Sequence, residues 1–148
     1  MNWPAITPEQ IELVQRTFAQ LAPINGLAAD LFQEELFVLG PEIKTLFGTD
    51  AEAHKQIFMQ TLQCAVHDLA LSGVTCSALE NLGRWHERYG VQQIHYRTMQ
   101  EALLWMLRQT LGDAFNAETR SAWTHTFSVL ARVMKEAAAT ERLALTLL

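Results

Sequence analysis

The strongest constraint on this chain is that amphipathic helical spacing, punctuated by helix-start and helix-stop residues, runs from Thr7 almost to the last residue. No segment alternates as a half-buried β-strand bounded by tight turns would. The chain is therefore expected to be all-α. Thr7-Pro8-Glu9-Gln10 offers an N-cap, a proline at the first helical position and a capping-box partner, after which Ile11, Val14, Phe18 and Leu21 recur at helical spacing. Pro23 closes that helix. Leu27, Leu31 and Leu36-Phe37 carry a second helix to Gly40, where Pro41 opens a short third one ending at Leu46-Phe47.

Thr49-Asp50-Ala51-Glu52 reads as a further capping box, and the helix it starts sets His54, Phe58, Thr61, Leu62, Ala65 and Leu69 along one stripe. After Gly73, Ser77-Ala78-Leu79-Glu80 is expected to cap a helix with Leu79, Leu82, His86 and Tyr89 facing inward and Gly90 as its stop. Two longer helices complete the pattern. One runs from about His95 to Leu111 before Gly112, and one starts at Asn116 with Trp123, Phe127, Leu130 and Met134 facing inward.

A chain of 148 residues, 49% apolar and 18% charged, is the size and mixture of one ordinary domain, and its seven Gly and four Pro mark no linker. A single domain over residues 1–148 is expected. The net charge of -5 comes without a basic run, which argues against nucleic acid as a partner. Met1-Asn2-Trp3-Pro4 lacks a basic flank and apolar run, and no segment approaches the ~20 apolar residues of a membrane span, so a cytoplasmic protein with no membrane partner is expected. Cys64 and Cys76 fit no metal-ligand spacing and are expected as reduced structural thiols rather than a disulfide.

Two apolar stripes each carry a histidine. A buried imidazole left without a partner costs about 1 to 3 kcal/mol, so His54 and His86 each need a hydrogen bond or a metal. Either one alone reads first as a satisfied core or groove histidine rather than as a ligand. Together, on helices that follow one another, they could sandwich a flat cofactor, because neutral imidazole is a standard axial ligand of haem iron.

The segment Leu82-Gly83-Arg84-Trp85-His86-Glu87-Arg88-Tyr89-Gly90-Val91, followed by His95-Tyr96, resembles the proximal-histidine region of globins. It is most similar to bacterial single-domain globins, flavohaemoglobin haem domains and neuroglobin. The likeness continues through Glu101-Ala102-Leu103-Leu104, Leu111-Gly112-Asp113-Ala114-Phe115 and Ala122-Trp123. Upstream it takes in Leu36-Phe37, Pro41-Glu42, Leu46-Phe47 and Phe58-Met59-Gln60-Thr61-Leu62, so it spans about Thr7 to Met134.

The resemblance implies a globin fold of about six to eight helices around one haem b pocket, with His86 as proximal iron ligand and Phe47 on the haem face. It places His54 at the distal position, as a second candidate metal ligand with a neuroglobin-like separation from His86. Phe58 lies one turn further along that face, where smaller residues are common. Gln33 falls where bacterial relatives often carry a tyrosine, and Val91, Tyr96 and Met99 match positions lining the haem. The function implied is reversible binding of dioxygen, nitric oxide or carbon monoxide, with His54 and Gln33 as hydrogen-bond donors and a bis-histidyl state at rest. The alternatives are nitric oxide dioxygenation or a peroxidase-like side activity served by a separate reductase, and a haem-based gas or redox sensor.

Several positions depart from the flavohaemoglobin pattern. Trp85 precedes the proximal histidine where a lysine is usual, and Ala138 stands near the relay glutamate, with Glu136 turned roughly 200° away on a helix. His67, His95 and His125 are expected to be solvent-facing or locally bonded, Trp105 and Trp123 to be core, and Arg84, Arg88 and Arg97 to reach haem propionates or form a solvated face. Beyond the resemblance, Leu143, Leu145, Leu147 and Leu148 are expected to pack on the core or be disordered rather than form a dimer contact. A monomer or weak homodimer follows.

Overall fold

A computed structural model describes residues 6–69 and 76–147. Gly73, Leu148 and the first residues lie outside the described segments. The described chain contains seven α-helices: α1 (Pro8–Ala19), α2 (Asn25–Leu39), α3 (Pro41–Phe47), α4 (Ala51–Asp68), α5 (Ser77–Arg88), α6 (Gln93–Leu111) and α7 (Ala117–Thr146). Single 3₁₀ turns at Ala22–Ile24, Gly48–Asp50 and Gly112–Ala114 join neighbouring helices. The all-α expectation holds, and no described helix is long and apolar enough to cross a membrane.

Caps decide where several helices begin. The Thr7 side chain accepts the Gln10 N–H at 3.1 Å while the Gln10 side chain accepts the Thr7 N–H, completing the capping box of α1. Asn116 accepts the Thr119 N–H at the start of α7. The box expected at Thr49–Glu52 does not form, because Gly48–Asp50 is already wound into a 3₁₀ turn that runs into α4. Ser77 is the first residue of α5 rather than its cap, which is Cys76. α6 starts at Gln93, earlier than expected, and buried His95 explains the shift: its Nδ1 accepts the Gln92 N–H at 2.9 Å.

The core lies where α5 packs along α7, α2 along α6, and α1 across α7, with α4 bridging α2 and α5. Trp123, Leu103, Met106 and Leu107 are fully buried at its centre. The indole N–H of Trp123 is satisfied by Thr17 Oγ1 at 2.9 Å, so the largest core side chain leaves no orphan donor. Trp105 is half-buried against the same core.

The closest backbone approach is between α5 and α7. A Cβ added at Gly83 would fall 2.7 Å from Met134 Cα and closer still to the Met134 carbonyl oxygen, so only glycine permits this packing. Gly90 at φ +83° then ends the turn after α5, as its position in the sequence suggested.

Two further expectations fail. Cys64, near the end of α4, and Cys76, just before α5, are paired in a disulfide with Cα atoms 6.2 Å apart, rather than standing as reduced thiols. The end of α4 and the start of α5 meet in space and bring them together, a proximity that a separation of twelve positions does not reveal. Leu143, Leu145 and Leu147 do not pack on the core. α7 continues to Thr146, and Leu143, Leu145 and Leu147 stand 62%, 48% and 79% exposed.

Candidate functional site

α4 and α5 each turn one histidine into the interior. His54 lies one turn into α4 and His86 in the last turn of α5, and they are only 9% and 6% exposed. Together with Gln33, Phe47, Phe58 and Met99 they line a single apolar cavity of about 90 Å³. Six of the eight residues singled out from the sequence therefore converge.

The other two support His86 from behind. The Tyr96 hydroxyl lies 3.2 Å from His86 Nδ1, and the Val91 N–H donates to the His86 carbonyl at 2.8 Å. With Nδ1 engaged by Tyr96, Nε2 is the nitrogen left for a metal. Burial, followed by the proximity of His54, pushes the His86 pKa down to about 4, so its imidazole is neutral at physiological pH. A neutral imidazole is the form that ligates metal.

His54 is buried without satisfaction. Its Nε2 has no hydrogen-bond partner among the described residues, while Phe47 packs on its ring at 4.4 Å between centroids, and Trp85 and Tyr89 meet it edge-on at 5.3 and 5.4 Å. Desolvation lowers its pKa, with Asp50 opposing the shift. An orphan polar atom in such a place costs about 1 to 3 kcal/mol and marks a position awaiting a partner. The Phe47 ring also lies 6.5 Å from that of His86, so one aromatic side chain reaches toward both histidines.

Gln33 lines the cavity, and its side-chain N–H₂ donates to the Ala51 carbonyl at 2.7 Å, fastening α2 to the first residue of α4. Phe58 stacks flat on Phe32, with centroids 3.9 Å apart and planes at 4°. Phe32 and Lys55 also line the cavity, and sequence reasoning passed over both. Phe32 carried a usable signal, since it sits one turn before Leu36 on the inward face of α2. Lys55 stands at the edge, held by Asp30 at 2.9 Å and Glu52 at 2.8 Å.

The residues fit a haem in chemistry. An apolar lining surrounds two imidazoles, one neutral, buried and fixed by its second nitrogen and one unpartnered on the facing helix, and such nitrogens are of the type that could hold a haem iron. The space between them is smaller than the roughly 300 to 1,000 Å³ of ordinary cofactor pockets, so admitting a macrocycle requires α4 and α5 to part.

His67, His125, Arg84 and Arg88 are locally engaged. His67 is exposed beside the Asp68 carboxylate at 3.1 Å, and His125 lies 3.0 Å from Gln10 Oε1. Arg88 pairs with Glu141 at 2.9 Å and Arg84 with Glu80 at 4.0 Å, both at the surface. Ala138 is buried and Glu136 exposed, so neither gives the His86–Tyr96 pair a carboxylate.

A Globin family model matches residues 30–134. The Flavohemoprotein of Vibrio cholerae serotype O1 is 29% identical over 132 residues, covering 86% of this chain; the chain spans only 33% of that protein's length. The Neuroglobin of Chaenocephalus aceratus is 31% identical over 139 residues, covering 84% of this chain and 87% of its own. The solved hexacoordinated heme protein from an anhydrobiotic tardigrade superposes with a TM-score of 0.80 at 18% identity, over 90% of this chain and 95% of that one, which shows a shared fold. The chain has the globin fold and belongs to the globin family.

Proposed function

We propose that this globin holds one haem b between α4 and α5, with His86 as the proximal ligand and His54 as the distal residue, and reversibly binds a diatomic molecule such as dioxygen, nitric oxide or carbon monoxide. The observation that carries this reading is the pair of buried imidazoles on facing helices, one neutral and tethered, the other with an unpartnered Nε2. Bound haem iron would supply a coordination position for the ligand and a site for one-electron reduction.

The side chains divide the remaining work. Tyr96 fixes the rotation of the His86 ring and raises its donor strength by accepting the Nδ1 proton. Phe47, Phe32, Phe58, Leu82 and Met99 exclude water from the pocket, which strengthens any hydrogen bond made there. His54 is the polar group closest to hand for the distal face. It has two uses for Nε2: donating a hydrogen bond worth about 1 to 3 kcal/mol to a polarised ligand, or ligating iron when no ligand is present. The second use gives a bis-histidyl resting state. It is favoured by the lack of a partner for that nitrogen among the described residues.

Nitric oxide dioxygenation with a separate reductase is the second reading. The Tyr96–His86 hydrogen bond favours it, and Ala138, which stands near the relay glutamate's position and carries no carboxylate, counts against a specialised role. Titration of the purified chain with haem, followed by absorption spectra of the ferric, ferrous and ferrous-CO forms, tests the main proposal. Saturation at one haem per chain with a low-spin six-coordinate spectrum before CO is added is expected. No saturable binding would overturn it, and a high-spin five-coordinate ferrous spectrum would overturn the bis-histidyl resting state.

A further inference from the structure

We propose that the cleft between the first half of α6 and the middle of α7 is a second binding site, one for a small phosphate-bearing molecule held by Arg97, Arg132 and Lys135. The cleft has a volume of about 680 Å³, within the roughly 300 to 1,000 Å³ of small-ligand sites. Three cations line it and no carboxylate does, on a chain whose net charge is -5. Positive potential is thus gathered in one concave place on an otherwise acidic protein.

Neither Arg97 nor Lys135 reaches a carboxylate among the described residues. Lys135 Nζ instead lies 5.3 Å over the Tyr96 ring, a cation–π contact. Burial and then the neighbouring Arg132 charge hold the Lys135 pKa below its ordinary value. A bound dianion would draw on the Arg97 and Lys135 charges, which no ion pair among the described residues uses.

One end of the cleft is formed by Gln92, Gln93 and Ile94, at the N-terminus of the 19-residue α6. The helix dipole and the N–H groups of Gln93 and Ile94, which the Gln92–His95 capping box does not engage, favour negative charge there. Guanidinium forks match phosphate oxygens, and a phosphate's double charge answers three cations better than a single carboxylate does. Tyr96, Phe127 and Ala131 add an apolar wall against which a ring can lie. The ligand class is therefore an organic phosphate of nucleotide size. Tyr96 joins this cleft to the histidine pocket, since its hydroxyl bonds His86.

Calorimetric titration with ATP in metal-free, low-salt buffer tests the site on the full chain, and it reads binding with or without haem. One ATP per chain should bind, inorganic phosphate should compete with it, and adenosine should give no heat. R97Q/K135Q should weaken ATP binding at least tenfold with an unchanged far-ultraviolet circular dichroism spectrum; the exposed single variant R97Q serves if the double variant misfolds. No saturable heat to millimolar ATP, failure of phosphate to compete, or wild-type affinity in the variant would overturn the proposal.

Discussion

His86 Nδ1 and the Tyr96 hydroxyl lie 3.2 Å apart, joining the end of α5 to the start of α6 in the buried wall of the pocket. Burial and the charge of Glu87 push the phenol up to about 12, so Tyr96 stays protonated and neutral across the physiological range. In the proposed haem site this pair sets the tautomer of the proximal ligand. Tyr96→Phe keeps the ring and loses the oxygen. Haem should then leave about 10 to 100 times faster, measured by transfer to excess apomyoglobin. An unchanged transfer rate would show that Tyr96 does not support the ligand.

His54 gives a prediction of opposite sign for the two forms of the protein. In haem-free protein its unpartnered buried Nε2 is a cost, so His54→Leu should raise stability by about 1 kcal/mol or more in urea unfolding. In haem-loaded protein the same change should convert a six-coordinate ferrous spectrum to a five-coordinate one. A variant that destabilises the haem-free form would mean that His54 already has a partner there.

Acid should weaken the haem-free fold through His86. Its folded pKa of about 4 lies below the ordinary 6.5, so between those values the unfolded chain binds more protons than the folded one. Stability present above pH 6.5 is progressively lost as the pH falls toward 4, by on the order of 3 kcal/mol, and His54 acts in the same direction. The urea midpoint at pH 7 and pH 4.5 should separate more for wild type than for His86→Leu. Equal separations would remove His86 as the cause.

Most of the fold was legible in the sequence because caps and stops are local chemistry. Thr7 and Asn116 cap as read, and Gly90 and Gly112 take the positive φ that ends a helix. The errors arise where tertiary geometry overrides local preference. A 3₁₀ turn pre-empts the Thr49 box, and helix ends that meet in space join Cys64 to Cys76. An apolar tail reads as packed on the core or disordered, whereas α7 runs on to Thr146 and leaves Leu143, Leu145 and Leu147 exposed. At the site, both histidines were legible as inward positions on helical stripes. The stack of Phe58 on Phe32 and the capture of the Gln33 amide by Ala51 were not, since both depend on how α2 and α4 cross.

The approach of α5 to α7 at Gly83 holds His86 in register. Gly83→Ala would force a methyl into the Met134 backbone and should cost about 1 to 3 kcal/mol, with the thermal midpoint falling accordingly. A midpoint within experimental error of wild type would show that the two helices separate without penalty.

The central claim is that His86 is the proximal ligand, and haem stoichiometry of His86→Ala beside wild type tests it most directly. Wild type should take up one haem per chain, and His86→Ala should fail to retain haem through gel filtration while keeping its helical circular dichroism. A fully loaded His86→Ala protein with an unaltered absorption spectrum would contradict the account.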